Sequence, residues 1–208
     1  MLNNHGFDIW SDSYDESVMQ SDKNKSYPFA GYNDLINIIY GTIMKQCPTR
    51  IFDIGFGTAT LTSKLYDAGN DITGIDFSSE MLKLAKAKMP TANLLQWDFS
   101  LGVPPKFSKQ SFDFIVSTYA IHHLTDDEKV SFIESLLNLL NPKGSILIGD
   151  VAFRTREELL LCKDSSGNSW DDDEYYCVFS EIQEQLGSIC KLTFHEISFC
   201  AGIIEIQR

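Results

Sequence analysis

Arg50-Ile51-Phe52-Asp53-Ile54-Gly55-Phe56-Gly57-Thr58-Ala59 reads as an apolar strand with an acid near its end, followed by a glycine turn that opens a helix. Glycine at such a turn adopts backbone angles, and allows a close ligand approach, that a Cβ would prevent. In open parallel sheets this strand-to-helix turn is where nucleotides bind. A Gly-x-Gly pair says little alone; its place between strand and helix gives it weight.

The pattern on either side agrees. Upstream, Leu35, Ile36, Ile38, Ile39, Ile43 and Met44 form an apolar helical face ahead of Pro48. Downstream, the spacing predicts a helix from Ala59 to Ala68 that stops at Gly69, the residue expected just past a helix end. A second strand, Asp71 to Asp76, leads through Ser78 or Ser79 as a cap into a helix with Met81, Leu82, Leu84 and Ala85 on its inner face. A third strand runs from Asn93 to Trp97 and a fourth from Phe112 to Ser117. Thr125-Asp126-Asp127-Glu128 has capping-box spacing, so a helix begins there and buries Phe132, Ile133, Leu136, Leu137 and Leu140. Asn141-Pro142-Lys143-Gly144 ends it, and a fifth strand spans Ser145 to Asp150. Such alternation from Pro28 to Asp150 predicts a parallel sheet with helices on both faces. Residues 151–190 read as irregular helix, and Leu192 to Phe199 and Gly202 to Gln207 as an antiparallel pair, which makes seven strands.

The 208 residues, 43% of them hydrophobic, suffice for one sizeable core. We expect a single domain over 1–208, with residues 1–30 as an N-terminal arm or lid and 151–190 as a helical segment over the acceptor pocket. No stretch approaches the roughly 20 apolar residues that cross a bilayer, and the N-terminus lacks the basic start and apolar run of a secretory signal. Five scattered cysteines, with no C-x-x-C pair to suggest zinc, read as reduced thiols in a cytoplasmic protein, and no metal is expected. A net charge of −12 repels a phosphate backbone and no Lys/Arg run counters it, which makes nucleic acid a poor partner.

The spacing in the turn separates two cofactors. A dinucleotide fingerprint places a third glycine at position 60, where this chain has Thr60, and Asp53 would put negative charge near the pyrophosphate. S-adenosylmethionine (SAM) presents an ammonium and a sulfonium instead, so the pattern favours SAM in contact with Asp53, Gly55 and Gly57. Asp76, 23 residues after Asp53, ends the second strand, where a carboxylate accepts from both ribose hydroxyls and repels a 2′-phosphate. Asp98 can accept the adenine amino group while Phe99 stacks on the ring. Phe77, Met81 and Ser117 are expected to join this cofactor site.

Around these residues the chain resembles class I SAM-dependent methyltransferases, most closely the small Firmicute methyltransferases of the YrrT type. The resemblance runs from Trp10 to the last strand and includes Tyr14-Asp15, the glycine turn, and Ser117-Thr118-Tyr119-Ala120 leading into His122-His123-Leu124-Thr125-Asp126. It implies a Rossmann-like, doubly wound α/β fold in three α/β/α layers, with a seven-stranded, mostly parallel sheet whose last strand is antiparallel. It also implies cofactor sites at Gly55, Asp76 and Asp98. Ala59 departs from the glycine usual in that family.

Methyl transfer from a sulfonium is an in-line displacement that asks the protein chiefly for alignment and a dry site. Tyr14 and Tyr119 are placed to stabilise the sulfonium with their ring faces. His122 and His123 are candidates for a general base, against the plainer role of orienting the following helix cap. Trp10, Tyr119 and Trp170 are candidates for the acceptor pocket, with Tyr175 and Tyr176 near its entrance. The segment after the fourth strand lacks the Asn/Asp-Pro-Pro-Tyr/Phe pattern of amine-directed DNA and protein methyltransferases, which favours a small-molecule acceptor. Two other readings stay open on the sequence: a non-catalytic binder of SAM or S-adenosylhomocysteine (SAH) that regulates a partner, and a nicotinamide-dependent oxidoreductase.

Overall fold

The computed structural model describes residues 16–208, so the expected contacts of Trp10 and Tyr14 lie outside the described residues. Helix α1 (Tyr32–Met44) buries Leu35, Ile36, Ile39 and Ile43, the spacing of one amphipathic face. In β1 (Arg50–Ile54) every residue after Arg50 is buried, as a strand covered on both faces requires. The alternation continues through α2 (Thr62–Asp67), β2 (Asp71–Asp76), α3 (Ser79–Lys88), β3 (Asn93–Gln96), β4 (Phe112–Thr118), α4 (Asp126–Leu137) and β5 (Leu140–Phe153). Then come α5 (Arg156–Ser166), the two-residue β6 (Cys177–Val178), α6 (Phe179–Leu186), β7 (Lys191–Glu196) and β8 (Ala201–Gln207).

The strand order is β3-β2-β1-β4-β5-β8-β7, with β6 paired to β5 off this path. Strands β1 to β5 are parallel, and β8 runs antiparallel to β5 and to β7 on either side of it. The reversed strand is therefore the last, as expected. Alternate side chains of a strand point to opposite faces, and β1 shows the consequence. Ile51 packs in one core cluster with α1, α2 and α3 residues, while Phe52 and Ile54 pack in a second with Phe132, Ile133 and Leu136 of α4 and Ile182 of α6. Two cores on two faces make the three-layer Rossmann-like α/β fold. Because β2 lies on one side of β1 and β4 on the other, the chain order reverses between β1 and β4. Ligands of such sheets bind in the crevice at the carboxyl ends of the strands around that point.

The structure corrects several boundaries. Helix α2 starts at Thr62 and not at Ala59, because Ala59 has φ +60°, outside the right-handed helical region. Helix α4 ends at Leu137 with Asn138 as its cap; Leu140 and the Asn141-Pro142-Lys143-Gly144 stretch belong to β5, which also runs past Asp150 to Phe153. There Ala152 and Phe153 pair with β6, an eighth strand that the sequence pattern did not predict. The capping box is present: Glu128 N–H donates to Thr125 Oγ1 (3.4 Å) and Thr125 N–H to Glu128 Oε2 (2.8 Å). Ser78 caps α3 by accepting from Met81 N–H at 3.2 Å. All five cysteines are free thiols, four of them buried. Among the described residues no helix is long and apolar enough to cross a membrane.

Candidate active site

A cleft of about 790 Å³, measured out to its open mouth, lies at the carboxyl ends of β1, β2 and β4. The turn after β1 makes one side of it. Gly55, Gly57 and Ala59 all have left-handed backbone angles, at φ +72°, +50° and +60°. Gly55 admits no larger residue: a Cβ there would stand 2.5 Å from the Cβ of Ala120. The turn is pinned to β2 by Gly55 N–H donating to Ile75 C=O (2.8 Å) and by Gly57 N–H donating to Asp76 Oδ2 (2.8 Å). Asp76 Oδ1 accepts from Ser78 N–H (2.9 Å), so one carboxylate joins the glycine turn to the start of α3.

Of the residues the sequence proposed for the cofactor, Gly55, Gly57 and Asp76 line the cleft, as do Phe77, Met81, Phe99 and Tyr119. Others stand elsewhere. Asp53 is buried behind the cleft surface, where Thr62, itself a lining residue, donates to its Oδ2. Its Oδ1 is buried with no hydrogen-bond partner. Burial, with nearby Asp76 adding to it against the Thr62 hydrogen bond, pushes the Asp53 carboxyl up to about 7. Asp98 does not line the cleft; its Oδ1 accepts from Ser100 N–H (2.9 Å) and caps the short 3₁₀ turn that presents Phe99. Ser117 is buried and donates to Ile54 C=O (3.1 Å), tying β4 to β1 beneath the site. Trp170 lines a separate depression with Asp126 and Tyr175, stacked on Tyr27 (5.2 Å between ring centroids) and edge-on to Tyr176 (4.9 Å). It is not part of this cleft.

The two histidines separate as well. Both sit in a 3₁₀ turn, Ile121–His123, just past β4, with ring centroids 4.3 Å apart. His123 lines the cleft; burial and the neighbouring His122 push it down to about 4, so it is neutral at pH 7. His122 is buried behind it, its Nδ1 2.7 Å from Asp150 Oδ1 and its Nε2 3.4 Å from Glu174 Oε1. Burial disfavours its imidazolium, but Asp150 and Glu174 outweigh burial and hold its pKa above the ordinary value. Glu174 is itself raised, chiefly by burial.

Sequence reasoning missed Tyr32, Thr58, Thr60 and Thr118, all of which line the cleft. Thr58 and Thr118 adjoin proposed residues, and Thr60 stands three residues past Gly57 in the same turn. Tyr32 is in α1, and its ring packs against Tyr119 (5.3 Å). Tyr119 is itself left-handed, at φ +49°, the kind of backbone strain that gathers at binding sites.

A family profile described as a methyltransferase domain matches residues 51–144. An uncharacterized methyltransferase of Oceanobacillus iheyensis is 31% identical over 204 residues, covering 93% of this chain and 89% of that one. This chain belongs to the methyltransferase family. The methyltransferase is also 30% identical over 210 residues to the uncharacterized methyltransferase YrrT of Halobacillus halophilus, covering 97% and 95% of the two chains. In fold it is similar to a DhpI–SAM–HEP complex (TM-score 0.65, 17% identity, 95% and 97% covered). It is also similar to the SAH-bound magnesium protoporphyrin IX methyltransferase of Synechocystis (TM-score 0.66, 19% identity, 86% and 84% covered).

Proposed function

We propose that the methyltransferase binds SAM in the cleft beside Gly55 and transfers its methyl group to a small-molecule acceptor by in-line displacement. The observation that carries this is the pairing of an acid that lines the cleft, Asp76, with a buried acid behind it, Asp53, whose Oδ1 has no partner. Buried polar atoms are nearly always hydrogen-bonded, and a ligand with an ammonium near Thr62 supplies the positive charge that Asp53 lacks. Asp76 would hold the ribose, Phe77, Met81 and Phe99 the adenine, and Tyr119 the sulfonium. Asp98 supports adenine binding by fixing the turn that carries Phe99. SAM supplies a methyl group that is already activated, so this chain's residues position the acceptor and exclude water.

His123 is the histidine that reaches the cleft, and acceptor activation falls to it, with His122 as a positioning residue behind. Residues 151–190 border the acceptor end: Tyr175 N–H donates to His122 C=O at 2.9 Å. The −12 charge supports a small acceptor over nucleic acid, and five free thiols suit the reducing cytoplasm.

The test is a thermal-shift series with SAM, SAH and NADH. At about 100 times its dissociation constant a true ligand adds roughly 2.7 kcal/mol, which raises the melting midpoint by several degrees. A shift with SAM and SAH but not NADH is expected; no shift with SAM or SAH would overturn the reading. Where binding holds, His123→Gln should lower turnover on an acceptor found by product screening while SAH affinity stays the same.

A further inference from the structure

We propose that His122, His123 and Glu174 form a binding site for a divalent transition metal of the zinc class at the acceptor end of the cleft. Each offers one ligand atom, and the three atoms lie within 4.8 Å of one another. The His122 Nε2 to Glu174 Oε1 distance of 3.4 Å matches the edge of a tetrahedron built on bonds of about 2.0–2.1 Å, roughly 3.3 Å. Two imidazole nitrogens and one carboxylate are also the donor set of a familiar catalytic zinc class that keeps a fourth position open.

The surroundings are arranged as a metal site needs. Asp150, fully buried, takes the Nδ1 side of His122 at 2.7 Å, and the same oxygen accepts Val151 N–H at 2.7 Å. A carboxylate holding Nδ1–H leaves the Nε2 lone pair outward, as in carboxylate–histidine–zinc arrangements. That lone pair then faces a carboxylate oxygen, a contact that either a proton or a metal cation between the two satisfies. Lys129 is the nearby ammonium, but it is held by Asp126 at 3.0 Å. The Tyr175 N–H to His122 C=O bond fixes the loop bearing Glu174 to the turn bearing both histidines. Because His123 lines the cleft, the metal adjoins the acceptor. It would offset the negative charge that a metal-bound hydroxyl or thiol gains as its proton passes to solvent water, so that His123 acts on the acceptor through the metal and not as a base. This role rests on the proposed methyl transfer; the site itself does not.

The experiment uses the full chain, stripped with a chelator and titrated with Co²⁺, then with Zn²⁺ against a chromophoric chelator. The expected result is one saturable site with the visible absorption of tetrahedral Co²⁺. Glu174→Gln and His123→Ala should each weaken it at least tenfold, and Asp150→Asn should weaken it roughly 10–100-fold. Absence of saturable binding overturns the proposal, leaving His122 as an imidazolium bridged by two carboxylates. Binding that Glu174→Gln and His123→Ala both leave unchanged also overturns it, since the cation then sits elsewhere. SAH affinity of Glu174→Gln, measured in parallel, separates the two ideas: metal loss with SAH binding intact supports this site, whereas a wild type that takes the metal but not SAH refutes only the proposed function.

Discussion

Replacing Gly55 with alanine tests two separable consequences of the turn. The left-handed angle, φ +72°, costs a residue with a Cβ about 1–2 kcal/mol. The new methyl also stands 2.5 Å from Ala120 Cβ, and forced overlap in a packed region costs about 1–3 kcal/mol. Reduced freedom of the unfolded chain returns about 0.4–1 kcal/mol. The expected net loss is about 2–4 kcal/mol, and at ~2–4 °C per kcal/mol for a chain of this length the midpoint falls by roughly 5–15 °C. Denaturant unfolding of Gly55→Ala in the wild-type and Ala120→Gly backgrounds divides the terms. With Ala120 reduced to glycine the overlap vanishes and the backbone cost less the unfolded-chain return, roughly 0.5–1.5 kcal/mol, remains. A cost below about 0.5 kcal/mol, or an equal cost in both backgrounds, would refute the geometry of the turn.

The Asp53 carboxyl, raised from 3.8 to about 7, gives a pH signature. Between these values the folded protein holds a proton that the unfolded chain has released, so the contribution of Asp53 to stability is greatest below about pH 4 and is lost as pH rises through 7. Asp53→Asn cannot ionise, and its stability relative to wild type should improve by roughly 2–3 kcal/mol between pH 5 and 8 in denaturant titrations; a difference that does not change with pH would sink this account of Asp53. Asp76→Asn should weaken SAH binding by calorimetry at least tenfold, given about 1.5–3 kcal/mol for each charge-assisted bond, and unchanged affinity would remove Asp76 from the ribose site. Thr125→Ala breaks the capping box of α4 and should cost about 1 kcal/mol, read as a midpoint lower by ~2–4 °C with SAH affinity intact.

What the sequence by itself determined is local. The strand–glycine–helix order at 50–59, the five parallel strands β1 to β5 with the helices after β1, β2 and β4, the capping box at Thr125 and the acid at the end of β2 were all legible. Each depends on spacing within a few residues, on side-chain periodicity or on a preferred cap. The parallel sheet and much of the cleft lining followed from that, and the family resemblance implied the reversed last strand. Tertiary structure decided which neighbouring residue lines the cleft. Asp53 and Ser117 proved to lie behind the cleft and Asp98 to cap a turn, because a strand end turns successive side chains in different directions. Tyr32 entered the cleft from α1, and Trp170 left it to stack on Tyr27. Most of all, Asp150 and Glu174 converge on His122 from distant points along the chain. No local pattern encodes that meeting: it exists because β5 runs beside β4 and the loop before β6 folds back over the turn after β4.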